Sequence, residues 1–193
     1  MTKVILIGGS PMCGKSTVSK VLASRLGWAC ISADDIGEIL QTAIDINPMK
    51  GQKYTEYYSE HTVSELIEDT VSYHKKLIPA VLRLIDIHST WGEPIIIEGW
   101  ALYPEIMNEI ENQSVKSVWL IANKSLFENR FLNNIEFYQL AVNPKTMKEN
   151  YLYRSLWHND YILEQCKLKK QSYILVSENM SVDDILKKIQ RII

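Results

Sequence analysis

The chain has 193 residues, 46% of them hydrophobic and 23% charged, with a formal net charge of −2 and a pI near 6.1. That size and apolar content suffice for one domain, residues 1–193, with its own core, and the mild acidity supplies no overall field to draw in nucleic acid or an anionic membrane. No apolar run has the length of a membrane span or a signal-peptide core, and three cysteines without metal-site or disulfide spacing suit reduced thiols, so the expectation is a cytoplasmic protein with no membrane partner.

Val4-Ile5-Leu6-Ile7 is a continuous, mostly β-branched run, as in a central parallel strand covered on both faces. It leads into Gly9-Ser10-Pro11-Met12-Cys13-Gly14-Lys15-Ser16, which fits G-x-x-x-x-G-K-[ST] at every fixed position, with Thr17 following. Terminal glycines let the loop curl until its N–H groups face phosphate oxygens, and the next helix adds the positive end of its dipole. Lys15 is the candidate for the β and γ phosphates, and Ser16 for magnesium. Val18, Val21, Leu22 and Leu26 follow at helical spacing, closed by Gly27 as a C-cap. Cys13, beside Lys15 and the helix start, is either a thiol of lowered pKa or simply a small residue at a variable position.

The second strand candidate, Ala29 to Ser32, is followed by Asp34-Asp35. Helix 14–26 carries the chain about 20 Å from the loop and a strand of about six residues recovers that distance. Asp34 is therefore expected beside Lys15 at the carboxyl edge of the sheet, where α/β proteins bind ligands. There it can bind the acceptor or accept a proton from its hydroxyl, cap a helix beginning near Ile36, whose first turn also suits Asp35, or do both together.

Residues 45–60, with Pro48, Gly51 and three tyrosines, read as an exposed loop or mobile cap. Tyr54, Tyr57, Tyr58 and His61 are candidates to line an acceptor site there. Residues 62–89 carry a long helical pattern that Pro79 is expected to kink or split.

The third strand candidate, Pro94 to Ile97, ends in Glu98-Gly99-Trp100. Glu98 has the place of a magnesium-side acid, contacts the acceptor hydroxyl, or only caps the strand. Trp100 either walls the acceptor pocket or is buried.

Ser117 to Ile121 and Tyr173 to Val176 supply two further strands. Between them, residues 123–171 are polar and helix-compatible, with Arg130 and Arg154 as cations for the transferring phosphoryl group, each alternatively a surface ion pair. After Ser181 an amphipathic helix closes the chain, with Asp183 and Asp184 at its start. Five short strands separated by helices indicate an α/β fold with a parallel sheet.

The phosphate loop, Ser32-Ala33-Asp34-Asp35 and Ile97-Glu98-Gly99 together resemble the P-loop kinases of small molecules, the group of adenylate, shikimate and gluconate kinases. Glu98-Gly99 through Pro104 looks most like the 2-phosphoglycerate kinase-like pattern. The resemblance implies a three-layer P-loop NTPase fold with strand order 2-3-1-4-5, ATP and Mg2+, and a helical lid over about residues 127–153. It also implies an adenine site near Arg130 and residues Ser177 to Asn179. Gly37 stands where relatives acting on phosphorylated acceptors often have an arginine. The lid is arginine-poor, leaving Arg130, Arg154 and Lys124.

The expected function is ATP-dependent transfer of the γ-phosphate to a hydroxyl or phosphate of a small metabolite or nucleotide. A GTPase is disfavoured because Asn123-Lys124-Ser125-Leu126 fails N-K-x-D at its last position. A polynucleotide end kinase lacks its basic track, and an ATP-binding regulatory protein without transfer activity is the remaining alternative. Neither the acceptor nor the oligomeric state is specified by the sequence.

Overall fold

The computed structural model describes residues 1–193. Five parallel strands, β1 (Val4–Gly9), β2 (Ala29–Ser32), β3 (Ile95–Gly99), β4 (Val115–Ala122) and β5 (Tyr173–Val176), form one sheet in the order β2-β3-β1-β4-β5. This is the expected α/β sheet and strand order. β1 is central and buried throughout, so its side chains alternate between two apolar faces. Ile5 and Ile7 pack with Val18, Leu22 and Leu186 on one side; Val4 and Leu6 pack with Leu77, Val81 and Ile85 on the other.

The first of these faces is covered by α1 (Lys15–Leu26) and α8 (Val182–Ile189), the second by α4 (Val63–Thr90). α4 begins in a Thr62/Glu65 capping box and runs 28 residues without interruption, so Pro79 does not split it. Pro79 is exposed, and the Lys75 carbonyl that loses its helical donor lies on the wet side of the helix. α8 has its own capping box from Ser181 and Asp184, while Asp183 pairs with Arg25 at 2.5 Å.

α2 (Ala33–Leu40) starts earlier than expected. Ser32, not Asp34, is its N-cap, accepting a bond from the Asp34 N–H at 3.2 Å; Asp34 and Asp35 both fall in the first turn. Residues 45–60 are not all loop. α3 (Tyr54–Glu60) buries Tyr57 and Tyr58 against α7 (Pro144–Leu168). The segment expected to be a lid is helical, comprising most of α5 (Lys124–Asn133), α6 (Ile135–Tyr138) and the first turns of α7. No helix is long and apolar enough to cross a membrane.

Candidate active site

Sheet register decides which functional side chains meet. Ser32 lies beside Glu98, and Glu98 beside Ile7, so the ends of β2, β3 and β1 open on one edge. The loop after β1, the first turn of α2 and the end of β3 therefore converge, although they span some 90 residues of chain.

The phosphate loop itself is sharply curled. Gly9 has φ +134 and abuts the Leu120 carbonyl; Met12 (φ +64) and Gly14 (φ +93) take the left-handed backbone that the wrap demands. Ser10 is buried and Pro11 half-buried at its base. Lys15, only 7% exposed, folds back to donate to the Ser10 carbonyl at 2.9 Å. Ser16 Oγ donates to Glu98 Oε1 at 2.9 Å, and Thr17 stands exposed in the same turn. Arg130, exposed on α5, donates from Nη1 to the Met12 carbonyl at 2.5 Å and lies over Gly14.

Cys13 is fully buried. Burial raises its thiol pKa despite the nearby Lys15 and Arg130 charges, so the lowered pKa considered from sequence is not realised. Cys166 is also a buried free thiol, Cys30 an exposed one.

Asp34 projects into a cleft of about 240 Å3 that Tyr57, Tyr58, Tyr73, Trp100 and Arg154 also line. The residue is open to solvent through the cleft mouth, while the walls crowd its carboxyl on the other sides. Desolvation by those walls pushes its pKa up to about 6; Lys15 opposes the rise, and Glu98 and Asp35 add to it. The charges of Lys15 and Glu98 thus both act on Asp34.

Arg154 is buried, 4% exposed, and makes no ion pair. Its Nη1 donates to the Tyr58 hydroxyl, and its guanidinium carbon lies 4.5 Å from the Trp100 ring centre and 4.8 Å from that of Tyr151. Arg130 also lacks a carboxylate partner, so neither arginine is the surface ion pair considered from sequence. Trp100 does line the cleft. Of the four cap residues, Tyr57 and Tyr58 line it too, His61 lines the adjoining cleft, and Tyr54 instead stacks on Phe137.

Sequence reasoning missed His158 and His74. His158, on α7 one turn beyond Arg154, is fully buried with Nδ1 2.7 Å from Ser10 Oγ. His74 on α4 is equally buried, with Nδ1 2.9 Å from the Tyr103 hydroxyl. Burial keeps both neutral: the pKa falls to about 3 for His74 and well below the ordinary value for His158. Each contact spans far too much sequence to leave a local signal, and only the tertiary packing of α4 and α7 reveals it.

The oxygens of Ser16 and Glu98 suit magnesium, a hard cation that takes one or two protein ligands beside phosphate and water.

The fold aligns over 100% of the chain with an unliganded sugar kinase from Janibacter (TM-score 0.59, 15% identity, 94% of that chain). It aligns over 99% with shikimate kinase from Acinetobacter baumannii in complex with shikimate (TM-score 0.55, 16% identity, 92% of that chain). The chain has the P-loop kinase fold. In sequence it is 29% identical over 205 residues to the 2-phosphoglycerate kinase of Methanocaldococcus jannaschii, an alignment covering 98% of this chain and 62% of that one. The chain spans less than two thirds of the length of the curated 2-phosphoglycerate kinases it matches. No protein-family model matches it. The loop, Asp34 and Glu98 follow the carboxyl ends of β1, β2 and β3, and α5 and α7 reach the loop through Arg130 and His158.

Proposed function

We propose that this chain transfers the γ-phosphate of ATP to a hydroxyl of a small metabolite. The observation that carries this reading is Asp34, a carboxylate of raised pKa placed within electrostatic reach of Lys15 and the Ser16–Glu98 pair. Phosphate-loop proteins that only bind nucleotide have no need of a proton acceptor facing the loop.

In this reading the loop N–H groups and Lys15 hold the β and γ phosphates. Residues Gly9 to Thr17 form the cradle, with Arg130 above it. Ser16 and Glu98 would hold magnesium, which when bound would offset the charge of the phosphates. The adenine lies between α5 and the loop after β5, segments joined by a 2.8 Å bond from Asn129 to Glu178. The acceptor hydroxyl faces Asp34. As its oxygen bonds to the γ-phosphorus, the bond to the bridging oxygen breaks, ADP departs and the hydroxyl proton passes to Asp34. A carboxylate with pKa near 6 is ionised at neutral pH yet more basic than an ordinary one, which suits that task. Arg130 is the cation for charge growing on the phosphoryl oxygens, and Arg154 serves the acceptor side.

The acceptor cleft, at about 240 Å3, is smaller than the ~300–1,000 Å3 of ordinary ligand pockets, which favours a metabolite of few carbons over a nucleotide. The names of the curated relatives make 2-phosphoglycerate the first compound to try.

The test is ADP release by the purified chain with Mg-ATP and a panel of hydroxyl-bearing metabolites, scored against a blank without acceptor. Acceptor-dependent release that vanishes in Asp34→Asn supports the proposal; release with no acceptor of any class overturns it.

A further inference from the structure

The acceptor cleft has an uneven charge. Arg154 is its only cation, whereas Asp34 and Glu38 both line it, with neutral Gln41, Asn47 and Thr70 between. Three aromatic rings lie 4.5 to 5.0 Å from the Arg154 guanidinium carbon, but no carboxylate pairs with it and its Nε–H has no partner. Ring faces stabilise a cation only weakly beside what a buried charge loses without a counter-ion, so the rings offset only part of that cost. An anion entering the cleft would supply what is missing.

The opposite wall carries no second cation. A Cβ on Gly37 would lie 1.9 Å from the Tyr73 hydroxyl oxygen, so Tyr73 fills the space that any side chain at position 37 would need. That hydroxyl accepts a 3.4 Å bond from Gln41 instead. Tyr73 thus presents a neutral group beside Glu38 and Asp34.

We propose that the cleft selects a small hydroxy acid carrying one carboxylate, seated on Arg154, with a hydroxyl turned toward Asp34, and that it discriminates against acids bearing a phosphate as well. This rests on the kinase reading for its chemistry, though not for the binding itself. One carboxylate balances one guanidinium, and the free Nε–H with an Nη N–H forms a fork that matches a carboxylate in two parallel bonds. A phosphomonoester adds about −1.5 to −2 further charge near neutral pH. In this cleft that charge faces two carboxylates and no free cation.

The experiment titrates glycerate, gluconate, 2-phosphoglycerate, 6-phosphogluconate and glycerol calorimetrically into the chain held with magnesium and a non-hydrolysable ATP analogue. ADP release with Mg-ATP is measured in parallel. At least one unphosphorylated acid should bind ten-fold or more tighter than its phosphorylated form and than glycerol. Arg154→Met should weaken it at least ten-fold. Glu38→Lys, on the exposed face of α2, should narrow the preference over the phosphorylated form at least ten-fold, and it carries the test if the arginine variant does not fold. Equal or tighter binding of a phosphorylated acid, no binding of either plain acid, or indifference to both substitutions overturns the inference. Selective binding without ADP release would remove the kinase reading and leave the acid site standing. ADP release driven best by 2-phosphoglycerate would do the reverse.

Discussion

Ser16 Oγ donates a 2.9 Å hydrogen bond to Glu98 Oε1, tying the first turn of α1 to the end of β3 across 82 residues of sequence. In the proposed function these are the two magnesium ligands, held together before any cation arrives. Removing either breaks the same unit. Ser16→Ala and Glu98→Gln should each lower kcat by about 100-fold, and the double variant by little more than either, because residues acting as one unit are non-additive. Raised magnesium should partly restore the single variants, as read from activity against magnesium concentration.

Asp34, the proton acceptor of the proposed function, should set the pH dependence. With its pKa raised to about 6, log kcat/KM should climb with slope one below pH 6 and level off above it. Asp34→Asn should remove that limb and reduce transfer by roughly 10²–10⁴-fold while ATP binding stays nearly intact. A carboxyl whose folded pKa exceeds its ordinary 3.8 opposes folding once ionised. Asp34→Asn should therefore raise Tm above pH 6, with the gain fading as pH falls toward 4.

In the proposed function Lys15 and Arg130 address the same phosphates. Lys15→Ala should abolish the Tm increase produced by millimolar ATP. Arg130→Ala should reduce that increase only in part, since the loop N–H groups remain. Full ATP stabilisation in Lys15→Ala would contradict the phosphate-loop assignment.

His74 and His158 are buried neutral, with pKa values depressed below the ordinary 6.5. The unfolded chain then binds more protons than the folded one below that pH. Stability should fall as pH drops through 6.5, by at most about 1.4 kcal/mol per pH unit for each histidine. Urea unfolding at a series of pH values measures the slope, and His158→Gln should flatten it. The same variant should loosen ATP binding, because His158 supports Ser10 from beneath the loop.

Gly9 combines φ +134 with a position where a Cβ would sit 2.3 Å from the Leu120 carbonyl oxygen. Gly9→Ala should cost on the order of 3 kcal/mol by denaturant unfolding.

Much of the fold was legible because its signals are local. The apolar runs at residues 4–7, 94–97 and 117–121, read as strand candidates, fall in β1, β3 and β4 apart from Pro94, and Gly27 stops α1 as read. Pro79 does not split α4, because a proline's cost depends on which side of the helix it faces. Asp34 misled as a cap because Ser32, two residues earlier, offers a hydroxyl in the right place.

The sequence by itself determined the phosphate loop, the covered strands and the acids that follow two of them, since each depends on neighbours within a few residues. Tertiary structure alone decided the pairing of Ser16 with Glu98, the unpaired burial of Arg154, the closeness of Tyr73 to Gly37, and the histidine beneath Ser10. Those depend on strand register and on how α4 and α7 lie across the sheet. Burial, charge balance and steric room are properties of groups brought together from distant parts of the chain, and no local pattern encodes them.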